Sequence, residues 1–129
     1  MAGATTYALS LLLPNGVNRY VGLFSAAPGP TGGGTELTAS GYGRVAVNAW
    51  TEVTEGDDVG RANSNAVEFT GFALASSVSI EAAGIFTASN GGNLIAWVPV
   101  TPIEGGLLDT DVVRFGATDL AIFARAARI

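Results

Sequence analysis

Eleven carboxylates make up nearly all the acid–base chemistry this sequence offers near neutral pH, because it contains no His and no Cys. That inventory removes imidazole bases, thiolate nucleophiles and the common zinc ligand sets. What remains is paired-carboxylate chemistry such as glycoside hydrolysis, for which Glu52, Asp57, Glu68, Glu81, Asp109 and Asp111 supply the acids. Such an enzyme needs a cleft with sugar-stacking aromatics, whereas Trp50, Trp97 and the three Tyr sit where core packing explains them equally well. No motif joins any two of the carboxylates, so catalysis is set aside. Residues 52–58 carry four carboxylates in seven positions, but the ligand spacing of a calcium loop is absent and a solvated turn is expected. The Gly-rich stretch Ala27–Gly34 is read as a surface loop, since no Gly-Lys-Ser/Thr ends it and no helix pattern follows to hold a phosphate. The sequence is therefore expected to have no catalytic residue, no cofactor and no metal site.

The elements that would position any site read as strands. Arg19–Ser25 places Tyr20, Gly22 and Phe24 on one face and Val21 and Leu23 on the other, an apolar run suited to a buried strand. Tyr42–Trp50 alternates as a half-buried strand. Further strands are expected over 66–70, 78–88, 93–101, 111–115 and 120–126, at the separation of a sandwich or barrel. Ser89-Asn90-Gly91-Gly92 predicts a hairpin between the strands on either side of it. Near the start, Tyr7, Leu11 and Leu12 share a helical face, and Pro14 would end that short helix. The expected fold is all-β: one antiparallel, jelly-roll-like β-sandwich of about seven or eight strands over 1–129, with a short N-terminal helical segment within residues 1–18. The apolar run 8–13 is too short to span a bilayer, has no positive charge before it, and is followed by a turn rather than a cleavage site.

Composition narrows the partners. The chain has 129 residues, enough for one hydrophobic core. Hydrophobic residues make up 48% and charged residues only 13%, about half the usual charged share. So little charge suits a surface that rests against other protein. The net charge is −5 and the six basic residues are all Arg, scattered from Arg19 to Arg128. No basic stripe exists for phosphates or anionic lipid, so neither nucleic acid nor membrane is expected as a partner.

The run Arg19–Val47 is similar to the signature of a family of small tailed-bacteriophage virion proteins, often labelled tail fibre or tail proteins. Its pieces here are Leu23-Phe24, the Pro-containing Gly-rich loop Pro28–Gly34, Thr35-Glu36, and the Gly-Tyr-x-Arg strand Gly41–Arg44. Further on, Asn65–Phe69, Gly84-Ile85-Phe86 and Gly91-Gly92-Asn93-Leu94 match later family elements in the same order. A Trp-Gly step that the family usually carries before Gly-Ile-Phe is missing, with Ser76-Ser77 near its place.

That resemblance implies a virion structural protein without catalytic residues. A fibre is normally long and repetitive, and no repeat is visible here. We therefore expect a capsid cement, or decoration, protein on the capsid exterior, made in the cytoplasm of a bacterial host. Its expected partners are the major capsid protein and itself, as a homotrimer. A tail fibre or tail adaptor component is the alternative, and a carbohydrate-binding β-sandwich is a second. The interface residues expected from apolar character and position are Tyr7, Leu11, Leu12, Leu13, Pro28, Pro30 and Trp50.

Overall fold

The structure is a computed structural model, and it describes residues 11–29, 33–39, 41–70, 78–101 and 112–124. Ten strands lie among the described residues: β1 (Arg19–Ala26), β2 (Thr35–Glu36), β3 (Val45–Val47), β4 (Trp50–Glu55), β5 (Asp58–Asn63), β6 (Val67–Phe69), β7 (Ala82–Phe86), β8 (Leu94–Pro99), β9 (Val113–Phe115) and β10 (Ala121–Ala124). Every pairing is antiparallel, as the all-β reading requires. The N-terminal helical segment falls mainly outside the described residues, which begin with Leu11 and Leu12 in helical backbone.

The strands form three sheets. The largest runs β2-β1-β7-β8, with β3 also on β1. One edge of β1 is shared: β3 pairs with Arg19–Val21, and β2 pairs with Phe24 and Ala26. The second sheet is β10-β5-β4 and the third is β6-β9. In β1 the apolar run is continuous because both faces are covered. Val21 and Leu23 join Val47, Ala83, Ile85, Trp50, Val67, Phe69 and Val113 in the main core, so one face of the large sheet packs against the two smaller ones. The opposite face carries a second cluster of Phe24, Ala82 and Phe86, flanked by Tyr20, Leu94 and Trp97.

Two readings are corrected. Tyr42–Trp50 is not one strand: the chain turns a corner at Asn48-Ala49, where Asn48 O accepts the Gly16 N–H and Ala49 O accepts the Ser64 N–H, and β3 and β4 join different sheets. Residues 52–58 are not simply a turn but the tip of a hairpin, with Glu55 opposite Asp58 and only Gly56-Asp57 between them. Gly56 has φ 61°, the positive value that the first loop position of a tight hairpin requires. The hairpin expected around Asn90-Gly91 is present as β7–β8, with Gly91 and Gly92 both at positive φ.

Candidate functional site

At the point where β1 exchanges β3 for β2, the backbone of Leu23 faces no strand partner on that edge. Leu23 O accepts the Leu37 N–H at 2.8 Å, and the Leu23 N–H donates to the Tyr42 hydroxyl at 2.9 Å. A side chain thus substitutes for a strand. Tyr42 in turn donates to Glu36 Oε2 at 2.7 Å. Arg44 closes the arrangement from the other side, donating from Nε to Glu36 Oε2 at 3.0 Å and from Nη2 to Glu36 Oε1 at 2.8 Å. Its Nη1 donates to Ala88 O and Gly91 O, both at 2.8 Å, which ties the β7–β8 turn to the segment between β2 and β3.

The guanidinium lies 3.5 Å from the centroid of the Phe86 ring, and Phe86 stacks on Phe24 at 5.8 Å with planes 6° apart. This cation–π contact holds Arg44 against the outer face of the large sheet. The Tyr42 ring stacks on Phe69, linking the arrangement to the main core. Gly22 lies beneath it. A Cβ there would come within 2.7 Å of Glu36 Oε2 and 2.9 Å of the Tyr42 hydroxyl, so only glycine lets these groups approach the strand.

The electrostatics follow from this geometry. Burial pushes the Glu36 carboxyl up, but hydrogen bonds from Arg44 and Tyr42 and the Arg44 charge outweigh it, leaving its pKa below the ordinary carboxylate value. Burial and the bond to Glu36 hold the Tyr42 hydroxyl well above the usual phenol range. The Arg44 guanidinium is shifted up, chiefly by its hydrogen bond to Glu36. All three groups therefore keep their ordinary charge states through neutral pH. Beside them opens a cleft of about 390 Å³, lined by Glu36, Thr38, Tyr42, Arg44, Ser89 and Asn90 among others. A smaller hollow of about 130 Å³ lies on the other side of Tyr42 and Gly43, against Glu68 and Phe69.

The residues singled out for chemistry do not converge. Glu52 and Asp57 are exposed on the β4–β5 hairpin, and Glu68 is exposed with Arg114 opposite it at 3.7 Å. Glu81 accepts a hydrogen bond from Ser79, and Asp109 and Asp111 lie outside the described residues. Among the described residues no group of three or more acidic side chains is placed to hold a metal ion.

The interface residues divide. Leu11 and Leu12 are exposed, at 58% and 38%. Leu13 and Trp50, at 0% and 4%, are core residues of the chain, and Pro28 is buried. Tyr7 and Pro30 lie outside the described residues. Arg19 donates to Leu11 O and Leu12 O, and Arg61 donates to Leu13 O, so two side chains fix the entry into the fold.

What sequence reasoning missed is the meeting of the motifs. Glu36 of Thr-Glu, Tyr42 and Arg44 of Gly-Tyr-x-Arg, Phe86 of Gly-Ile-Phe and Gly91 of Gly-Gly-Asn-Leu are in direct contact through one arginine and one carboxylate. A signal was available: three of the recurring motifs contain a lone charge, Glu36, Arg44 and Glu68, and Arg44 is the only basic one among them.

Residues 12–122 match the sequence model of a protein family described as podophage GP4 fiber I protein gp80. The chain belongs to this family. It is accordingly a phage structural protein associated with the virion, and the match encloses the whole Glu36–Tyr42–Arg44 arrangement and every strand but the end of β10. No curated protein matches the chain.

Proposed function

We propose that this β module is a structural component of the phage tail fibre apparatus, presenting a rigid β surface to other virion proteins and performing no covalent chemistry. The observation that carries this reading is the family match itself, which spans the packed strands from Leu12 to Ile122 under a fibre description. The low charge content supports it, since a surface poor in charge is suited to burial against neighbouring subunits. Copies of the chain itself, as a homotrimer, are the proposed first partners. No nucleic acid or membrane contact is part of this reading.

A second reading keeps the module on the capsid as a decoration protein bound to the major capsid protein. Its favouring observation is that no repeat is visible in the sequence, as suits a compact cap on a lattice better than a shaft. A protein that binds only the assembled shell stabilises that shell by mass action. Imaging purified virions that carry a labelled copy of the chain separates the two. Label at the tail in a few copies is the expected result, and label spread over the shell gives the decoration reading. Virions without the chain would overturn both.

A further inference from the structure

We infer that the cleft beside Arg44 is a binding site for a neutral sugar. Its floor is an ion pair that cancels its own charge, because the side chains of Arg44 and Glu36 are only 10% and 25% exposed and are bonded to each other. No other charged group is among the lining residues, so nothing there selects an ionic ligand. Polar capacity remains nonetheless. Arg44 has five N–H groups and uses four of them, on Glu36 twice and on Ala88 O and Gly91 O, leaving one on Nη2 without a partner among the described residues. Glu36 Oε1 accepts one bond where it has room for two.

A donor and an acceptor on one rigid pair suit hydroxyl groups, which both donate and accept. The pair is held by Phe86 and by the hairpin carbonyls, so it need not be ordered when a ligand binds. Around it Thr38, Ser89 and Asn90 are exposed and supply further hydroxyl and amide groups at the rim. The half-buried Tyr42 ring gives the cleft an apolar side for the carbon skeleton of a sugar. A cleft of about 390 Å³ has room for one or two hexose rings. The binding chemistry stands on this geometry alone and does not depend on the fibre reading above.

The test is titration of the isolated full chain with a panel of neutral mono- and disaccharides, followed by backbone amide NMR. The expected result is saturable shifts confined to residues 36–44 and 87–92 for at least one sugar. Asn90→Ala and Thr38→Ala, both at exposed positions, should each weaken that binding about tenfold while leaving the rest of the spectrum native. If either variant fails to fold, Ser89→Ala takes its place. No shifts at millimolar sugar, or shifts elsewhere on the chain that the variants do not alter, would overturn the inference. Because this experiment uses no virions, its failure is distinct from a failure to find the chain at the tail.

Discussion

On the inward face of the large sheet, Val21, Leu23, Ala83 and Ile85 pack into the main apolar core. One residue along each of the same strands, the outward face carries Gly22, Phe24, Gly84 and Phe86, overlaid by an arginine, a carboxylate and a phenol. Both faces are buried, yet by different physics. The inward face is held by non-directional apolar contact, which tolerates exchange of shapes. The outward face is held by hydrogen bonds and two glycine gaps, which fix the loops at one geometry. The first face makes the fold stable, and the second places the rims of the cleft.

The largest break of this comparison is on the inward face. Leu23 is fully buried, so Leu23→Ala should lower stability by about 2–5 kcal/mol in denaturant unfolding. A loss below about 1 kcal/mol would mean that this face is not the centre of the core.

On the outward face, Arg44→Ala removes four hydrogen bonds, takes the donor from two carbonyls and leaves Glu36 with only its bond from Tyr42, with an expected loss of about 3 kcal/mol. Arg44→Lys should recover little, because an ammonium cannot span a carboxylate and two carbonyls. If the pair is coupled as drawn, adding Glu36→Gln to Arg44→Ala costs less than the sum of the two single changes. Additive losses would show that the two residues act independently.

The glycines sharpen the contrast further. A Cβ at Gly84 would lie 2.5 Å from Phe24 Cε1 and 2.8 Å from Leu94 Cδ1, so Gly84→Ala should destabilise by about 1–3 kcal/mol through overpacking. Thermal unfolding measures this directly, and an unchanged melting temperature would refute the close packing of the outward face.

The outward face should also respond to acid. Glu36 is held below its ordinary pKa in the folded chain, so the unfolded chain takes up its proton first as pH falls. The stability that Glu36 contributes is thus fully present above the unfolded carboxylate pKa and is lost as pH falls through the lower folded value. Denaturant unfolding across acidic pH should show a shallower decline for Glu36→Gln than for the native sequence. Tyr42 has the opposite window: its raised folded pKa means that its contribution holds below about pH 10 and declines above it.

Legibility in the sequence followed the locality of the forces. The strand Arg19–Ser25 and the β7–β8 hairpin were readable because an apolar run and an Asn-Gly turn are local signals. The β4–β5 hairpin was not, because β5 reads Asp-Val-Gly-Arg-Ala-Asn, in which only Val59 is a good strand former, and it is paired on both sides by β4 and β10. Gly60 in that strand is needed since a Cβ would meet Ile122 O at 2.6 Å and the Phe123 ring at 2.7 Å, a constraint set by residues some sixty positions away. The corner at Asn48-Ala49 left the alternation of side chains intact and so was invisible to it. For the cleft, each motif was recognised separately, but their convergence on Arg44 depends on contacts up to 47 residues apart.

The smallest predicted effect lies between a cross-strand pair in the core. Trp50 and Asn63 face each other across β4 and β5, and both are buried. Asn63 is well satisfied: its amide donates to Asn65 O and Gly116 O, and its carbonyl accepts the Leu120 N–H. Trp50 Nε1, by contrast, has no hydrogen-bond partner among the described residues. Replacing the indole by phenyl removes some packing and an unpaired donor together, and these effects oppose each other. Trp50→Phe should therefore change stability by no more than about 1 kcal/mol, whereas Asn63→Ala, which orphans groups on three residues, should lose about 2–3 kcal/mol. A large loss in Trp50→Phe would reveal that the indole N–H is paired in solution, and so that the β10-β5-β4 sheet, which packs on the inward face, depends on a directional bond at Trp50.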